Sequence, residues 1–263
     1  MNEQGRKKVI KFQSFLSGSS GNATFITNDN VNILLDCGAN GKYIESCFAR
    51  LKINPYLLDA IFITHEHTDH ISGAGIISRR YDIPIYASSG TWGEMEGVLG
   101  KISEKNKKVI SPKETLSFSD MEIRAFSIPH DAAQPLAYSF KTEQQKFTVA
   151  TDMGHVNDEL FSELSGSDFI IIEANHDIDM LKNGSYPFFL KKRILGDFGH
   201  LSNASCAELC AHLADSGTKA FWLGHLSSHN NLPEIAYNDV HTALKNAGKR
   251  DISLCVLPRY WLK

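Results

Sequence analysis

Four candidate metal ligands, His65, His67, Asp69 and His70, fall within the six positions His65-Glu66-His67-Thr68-Asp69-His70. They follow directly on the largely apolar run Leu57-Leu58-Asp59-Ala60-Ile61-Phe62-Ile63. Its branched and aromatic side chains predict a strand that delivers the ligands at its C-terminal tip. If the chain stays extended there, His65 and His67 point to one side, because strand side chains alternate. Asp69 and His70 then open a short helix predicted to continue through Ile71 to Tyr81. Two imidazoles come from the strand end, and a carboxylate and a third imidazole from the helix start. That is a supply for two adjacent metal ions. The competing reading is a polar surface loop, but such loops favour Asp, Asn, Gly, Ser and Lys over histidine.

The same arrangement recurs along the chain. His130 follows Phe126-Ser127-Ile128, Asp152 follows Val149-Ala150, and His225 follows Trp222-Leu223. Each alone would be a hydrogen-bonded loop residue. Strand ends on one edge of a sheet sandwich converge, however, and together with the 65–70 motif these three residues read as further ligands.

The elements that must position them follow from the apolar patterning. Strands are predicted at Val9 to Leu16, Ala23 to Thr27, Val31 to Asp36, Ile83 to Tyr86 and Glu122 to Ile128. A hairpin of Leu136 to Lys141 with Lys146 to Ala150 follows, then Phe169 to Ile172, Ala220 to Leu223 and Ile252 to Leu257. The Phe169-Ile170-Ile171-Ile172 run is apolar throughout, as in a strand covered on both faces. Helices are expected at Lys42 to Leu51, Thr91 to Leu99, Ile178 to Lys182 and Phe188 to Leu195. Two more are expected at Ser202 to Ala214, capped by Ser202 or Asn203, and at Pro233 to Asn246. Trp92 and Met95 read as core or lid packing rather than ligand stacking. Strands lead, helices are interleaved, and the pattern repeats across two halves with no linker. The fold class is therefore α/β (α+β), a sandwich of two sheets with helices outside both, in one domain spanning 1–263. The Ser17-Gly18-Ser19-Ser20-Gly21-Asn22 turn has two readings: an anion-binding nest of backbone N–H groups, or a plain connection.

With 263 residues, 42% of them apolar, the chain can bury a sizeable core. A net charge of -3 does not advertise a nucleic-acid binder, although bound metal ions would supply local positive charge. Five cysteines are odd in number and lack disulfide spacing, and Cys206 and Cys210 read as core residues of one helix face. The first eight residues contain no apolar targeting core, and no later run is long enough to span a bilayer. A reduced, cytoplasmic protein is expected.

The ordered set His65-Glu66-His67-Thr68-Asp69-His70, His130, Asp152 and His225 resembles the metallo-β-lactamase fold in its two-metal hydrolase form. The resemblance covers nearly the whole chain. It implies a four-layer αββα sandwich, with one metal held by His65, His67, His130 and Asp152. The other would be held by Asp69, His70, His225 and the shared Asp152. Further stretches are similar to the YycJ (WalJ, VicX) group: 16–22, Glu173-Ala174-Asn175-His176-Asp177, 195–203 and Gly224-His225-Leu226-Ser227. That group is related to ribonuclease Z and ribonuclease J, and DNA exonuclease activity is attributed to some members.

The resemblance therefore implies a phosphodiesterase or nuclease using two Zn, Mn or Fe ions and a bridging hydroxide, with a nucleic acid or nucleotide-like substrate. Asp69, binding one ion, is placed to orient that hydroxide. The His200-Leu201-Ser202 trio resembles the His-Ser-Thr segment carrying the proton donor of ribonuclease Z, which makes His200 the candidate general acid and Glu173 its orienting partner. Ser19 and Asn22 in the Ser/Gly turn, and His176, are the candidate substrate contacts; His176 equally reads as a structural residue. Lys191, Lys192 and Arg193 read first as a charged helix face and second as a phosphate contact. No segment between Asp152 and His225 is long enough for the β-CASP cap of ribonuclease J, and no Gly/Pro-rich arm like that of ribonuclease Z is present. The alternative function is a small-molecule acyl hydrolase acting on a thioester, lactone or β-lactam through the same metals. A redox di-iron module is disfavoured because His67 stands where such sites carry Glu.

Overall fold

The computed structural model describes residues 9–262. The segment 1–8, read above as lacking a targeting core, lies outside them. The first half opens with an antiparallel meander of β1 (Lys11–Leu16), β2 (Ala23–Thr27) and β3 (Asn32–Leu35). Then α1 (Gly41–Leu51) crosses to β4 (Ala60–Phe62), which lies parallel to β3. Next come α2 (Thr68–Ile71), α3 (Ala74–Tyr81), β5 (Ile85–Ala87), α4 (Ser89–Met95) and β6 (Lys107–Val109). Both strands pair parallel, completing a six-stranded sheet in chain order.

The second half repeats this plan. β7 (Thr115–Phe118), β8 (Met121–Ser127), β9 (Leu136–Lys141) and β10 (Lys146–Ala150) run antiparallel. After α5 (Asp158–Leu164), β11 (Phe169–Glu173) joins parallel to β10. The helices α6 (Ile178–Asn183), α7 (Phe188–Ile194) and α8 (Asn203–Asp215) precede β12 (Ala220–Gly224). Last, α9 (Pro233–Asn246) leads to β13 (Ser253–Val256), closing a seven-stranded sheet, again in chain order.

Side-chain alternation divides the core into three clusters and so defines the layers. On β4, Ala60 and Phe62 face the second sheet, where they meet Ile123, Tyr138 and Ile171, while Ile61 faces the helices α1, α3 and α4. On β11, Ile171 faces inward and Ile170 and Ile172 face α5, α8 and α9. The apolar run at 169–172 is thus covered on both sides, and the arrangement is the four-layer αββα sandwich. Phe62 and Tyr138 meet edge-on across the sheets at 5.3 Å between centroids. Burying each such ring contributes about 1.5–3 kcal/mol.

Several elements differ from the sequence reading. The helix expected over 71–81 is broken into α2 and α3, because the chain turns at Ser72 to send the Gly73 N–H to the Cys37 carbonyl at 2.8 Å. The helix expected at Thr91 starts instead at Ser89, where Ser88 caps it by accepting from the Thr91 N–H, and Trp92 and Met95 are core residues. The strands β6 and β7 and the helix α5 were not anticipated. The first two are short and half-exposed edges, one carrying Lys107 and Lys108, so their apolar signal is weak. Ser202 is the cap of α8, accepting from the Ser205 N–H at 3.1 Å. Cys206 and Cys210 lie in the core with sulfurs 3.9 Å apart. Among the described residues no helix is long and apolar enough to cross a membrane.

Candidate metal centre

The predicted ligands gather where β4, β8, β10 and β12 end. Three residues at these and neighbouring strand ends hold left-handed backbone: Asp36 after β3 (φ 56°), Asp152 after β10 (φ 61°) and His225 after β12 (φ 56°). Non-glycine residues rarely adopt this region, and doing so re-aims a side chain that would otherwise continue the strand's alternation.

Nitrogens and oxygens of these side chains form groups whose members lie within 4.8 Å of one another: His65, His67 and His130; Asp69, His70 and His225; and His65, His70 and Asp152. His65 Nε2 is 3.0 Å and His130 Nε2 3.4 Å from His67 Nδ1. His70 Nε2 is 3.5 Å from Asp69 Oδ2 and 3.4 Å from Asp152 Oδ2, and His225 Nε2 is 3.8 Å from Asp69 Oδ2. Asp152 stands between the groups, its other oxygen 3.9 Å from His130 Nε2.

Four of these imidazoles are anchored through the nitrogen that faces away. His65 Nδ1 meets the Thr64 hydroxyl at 3.0 Å, and His70 Nδ1 meets Asp36 Oδ2 at 2.8 Å. His130 Nδ1 donates to the Gly199 carbonyl at 3.1 Å, and His225 Nδ1 to Glu173 Oε1 at 2.9 Å. Such partners fix ring orientation and leave the opposite nitrogen for a metal. Asp36 also accepts from the Thr64 N–H (2.9 Å) and hydroxyl, tying β3 to the motif. The Ser17 hydroxyl accepts from the His225 N–H at 2.9 Å, and Asn175 donates to the His225 carbonyl at 3.0 Å.

The residues fit a divalent cation on two counts. Asp152 Oδ2 and His225 Nε2 are buried yet make no hydrogen bond, an arrangement that costs about 1–3 kcal/mol per group unless a cation compensates. Charge is also balanced for one. Burial, aided by the neighbouring His70, His130 and His67 rings, pushes His65 well below its usual value, keeping it neutral as a ligand must be. Burial pulls His70 down too, but the carboxylates of Asp36, Asp69 and Asp152 raise it to about 9. His225 is likewise raised by Asp152, Asp69 and Glu173 against its burial. These carboxylates hold protons on the imidazoles, and a cation would take the protons' place.

Glu173 is fully buried and both its oxygens are used. Oε1 accepts from His200 Nδ1 at 2.8 Å and from His225 Nδ1, while Oε2 accepts from the Met153 N–H at 2.8 Å and the Leu201 N–H at 3.3 Å. Burial raises its carboxyl, but the His200 and His225 rings hold it well below the ordinary glutamate value. His200 keeps 19% of its side chain exposed, and Glu173 and Asp152 raise its proton affinity against burial.

Asn22 reaches the centre with its side chain, Nδ2 lying 3.0 Å from His70 Nε2 and 3.3 Å from Asp69 Oδ2. The N–H groups of Ser17, Gly18, Gly21 and Asn22 all donate within the protein, so they are not a free backbone nest; Ser19 is exposed at the tip. His176 is 1% exposed with neither ring nitrogen hydrogen-bonded, and burial pushes it down to about 4. Glu66, inside the motif, accepts from the Ala133 N–H at 2.7 Å and so braces a loop. Asp36, Thr64 and Ser17 escaped the sequence reading as site residues. Only the position of Asp36 at a strand end, one of the recurring pattern, pointed to it.

The model of the Beta-lactamase superfamily domain matches residues 31–226. Exodeoxyribonuclease YycJ of Bacillus anthracis is 37% identical over 91% of this chain and 90% of its own length. Exodeoxyribonuclease WalJ of Streptococcus pneumoniae is 40% identical over 90% of this chain and 89% of its own. Among solved structures, the metallo-beta-lactamase fold protein YhfI of Bacillus subtilis superposes with a TM-score of 0.72 at 15% identity, covering 96% of this chain and 98% of that one. The chain belongs to the Beta-lactamase superfamily, with the YycJ/WalJ exodeoxyribonucleases as relatives along most of its length.

Proposed function

We propose that the protein is a metal-dependent phosphodiesterase that degrades DNA from an end. The observation that carries this reading is its 37–40% identity to exodeoxyribonucleases over about nine-tenths of each chain. Two divalent transition-metal ions, of Zn, Mn or Fe, are assigned to His65, His67, His130 and Asp152 on one side and to Asp69, His70, His225 and Asp152 on the other. Such ions, when bound, acidify water and neutralise charge on a phosphoryl group. The all-nitrogen and oxygen donor set suits these metals. A cytoplasmic location belongs to the same reading.

The chain's own residues then divide the work. Asp69 orients the attacking water through its carboxylate. His200, with Nδ1 engaged by Glu173, carries the proton for the leaving oxygen on Nε2, and the Glu173 and Asp152 carboxylates raise its affinity for that proton against burial. Asn22, its amide facing Asp69 and His70, is assigned to the phosphate side of the centre. Ser19, exposed at the tip of its turn, is assigned to the substrate path, whereas His176, only 1% exposed, is closed off from any substrate and is assigned the structural role. The test is a substrate panel with Mn²⁺ and with Zn²⁺, containing linear duplex DNA with and without a 5′-phosphate, single-stranded DNA, RNA, a simple phosphodiester, a thioester and a β-lactam. Release of nucleotides from DNA ends is expected. Turnover confined to the thioester or β-lactam would overturn the proposal in favour of acyl hydrolysis.

A further inference from the structure

The two most exposed large apolar side chains among the described residues are neighbours on one helix. Phe188 and Phe189 at the start of α7 are 82% and 73% exposed, and Phe198, just beyond the helix, is 59% exposed. Helical spacing puts Phe188 and Phe189 on the same face as Lys192 and Arg193, while Ile194 turns inward. Lys191 is spent on the fold, donating to the Lys182 and Gly184 carbonyls. Lys192 is exposed and makes no ion pair among the described residues. Arg193 pairs with Asp131, the residue after His130. The metal centre itself does not use these aromatics. Rings this exposed cost solvation and suit a ligand with flat apolar faces.

The platform is continuous with the centre. The Phe198 carbonyl accepts from the Asp131 N–H at 3.1 Å, the next carbonyl, of Gly199, holds His130, and the next residue is His200. Arg193 on α7, through Asp131, and Phe198, two residues before His200, tie this end of α7 to the loop that carries His130. Resting on the nuclease reading, we propose that Phe188, Phe189 and Phe198 stack unpaired bases of a nucleic-acid end, with Lys192 and Arg193 against its phosphates. Alternating rings and cations match a single strand, whose bases present faces and whose backbone is anionic. A second copy of this chain, carrying a net charge of -3 but the same basic cluster, would set like charges against each other across a two-fold contact.

The experiment measures affinity of metal-loaded protein for two hydrolysis-resistant phosphorothioate DNA ligands, one blunt and one with unpaired ends of both polarities. The variants are the Phe188→Ser/Phe189→Ser/Phe198→Ser triple and Lys192→Glu, with metal content and circular dichroism checked in each. The triple should weaken binding of the unpaired-end ligand by on the order of 10²-fold and that of the blunt ligand far less. Lys192→Glu should weaken both and flatten the dependence on salt. Equal losses on both ligands in the triple, or none, would overturn the platform. So would a wild-type dimer in sedimentation that the triple splits. A wild-type enzyme that degrades no nucleic acid would instead overturn the nuclease reading itself. Digestion of DNA by wild type with an unaffected triple removes the platform alone.

Discussion

Asp152 and His200, 48 positions apart in the chain, make the sharpest contrast at the scale of single side chains. Asp152 has an oxygen without a hydrogen bond inside the cluster, whereas His200 is partly exposed and already bonded to Glu173. Asp152→Ala should therefore lose most of the bound metal, read by elemental analysis of purified protein. His200→Ala should keep its metal and lose roughly 10²–10⁴-fold in turnover. Glu173→Gln should show both effects in milder form, because one carboxylate oxygen serves both His200 and His225. Removing such an outer partner typically costs about 10–100-fold in metal affinity. Full metal content in Asp152→Ala, or full turnover in His200→Ala, would return that residue to a structural role. The metal-binding residue types could be read from the sequence because their chemistry is carried by identity and by position after an apolar run. Their supports could not. Asp36 holds His70 across 34 residues of chain, and an Asp at a strand end looks the same whether it faces water or an imidazole.

At the scale of elements, the centre depends on how closely the turn after β3 approaches the motif helix α2. Gly38 sits with its Cα against the Asp69 carbonyl, where an added Cβ would lie 1.6 Å from that oxygen. Around it, the Asn22 N–H donates to the same Asp69 carbonyl at 2.8 Å and the Cys37 N–H to that of His70 at 2.8 Å. Gly38→Ala must push α2 away and break these bonds, misplacing Asp69 and His70 while leaving the distant α8 and α9 packing intact. The expected outcome is a folded protein by circular dichroism with metal affinity lowered by at least tenfold and stability lowered by about 1–3 kcal/mol, the usual range for forced overpacking. Wild-type affinity in calorimetric titration would mean that the turn can yield without moving α2. The long apolar strands and the capped helices were legible because each carries its own periodicity. β6, β7 and the break between α2 and α3 were not, since the first two are set by pairing at sheet edges and the last by a hydrogen bond to a distant turn.

For the molecule as a whole, the proposed metal centre would also act as a clasp. His65, His67, Asp69 and His70 come from the sheet of β1 to β6, and His130, Asp152 and His225 from the sheet of β7 to β13. Away from the centre, the sheets are joined by the apolar cluster around Phe62, Tyr138 and Ile171, so folding of the two halves is already coupled. A cation bound by both halves adds stability by mass action, on the order of 4 kcal/mol at a thousandfold excess over its dissociation constant. For a chain of this size that corresponds to a shift in thermal midpoint of roughly 10 °C. Chelation should therefore lower the midpoint by about this amount in one cooperative transition. It should also release the carboxylate-held imidazoles to take up protons, so that the metal-free protein binds protons at neutral pH on chelation. Asp152→Ala should start near the lower midpoint and respond little to chelator. If chelation left the wild-type midpoint in place, the ligands of the two sheets would not share a bound cation. If it split the transition in two, the apolar cluster between the sheets would be too weak to couple them without the clasp.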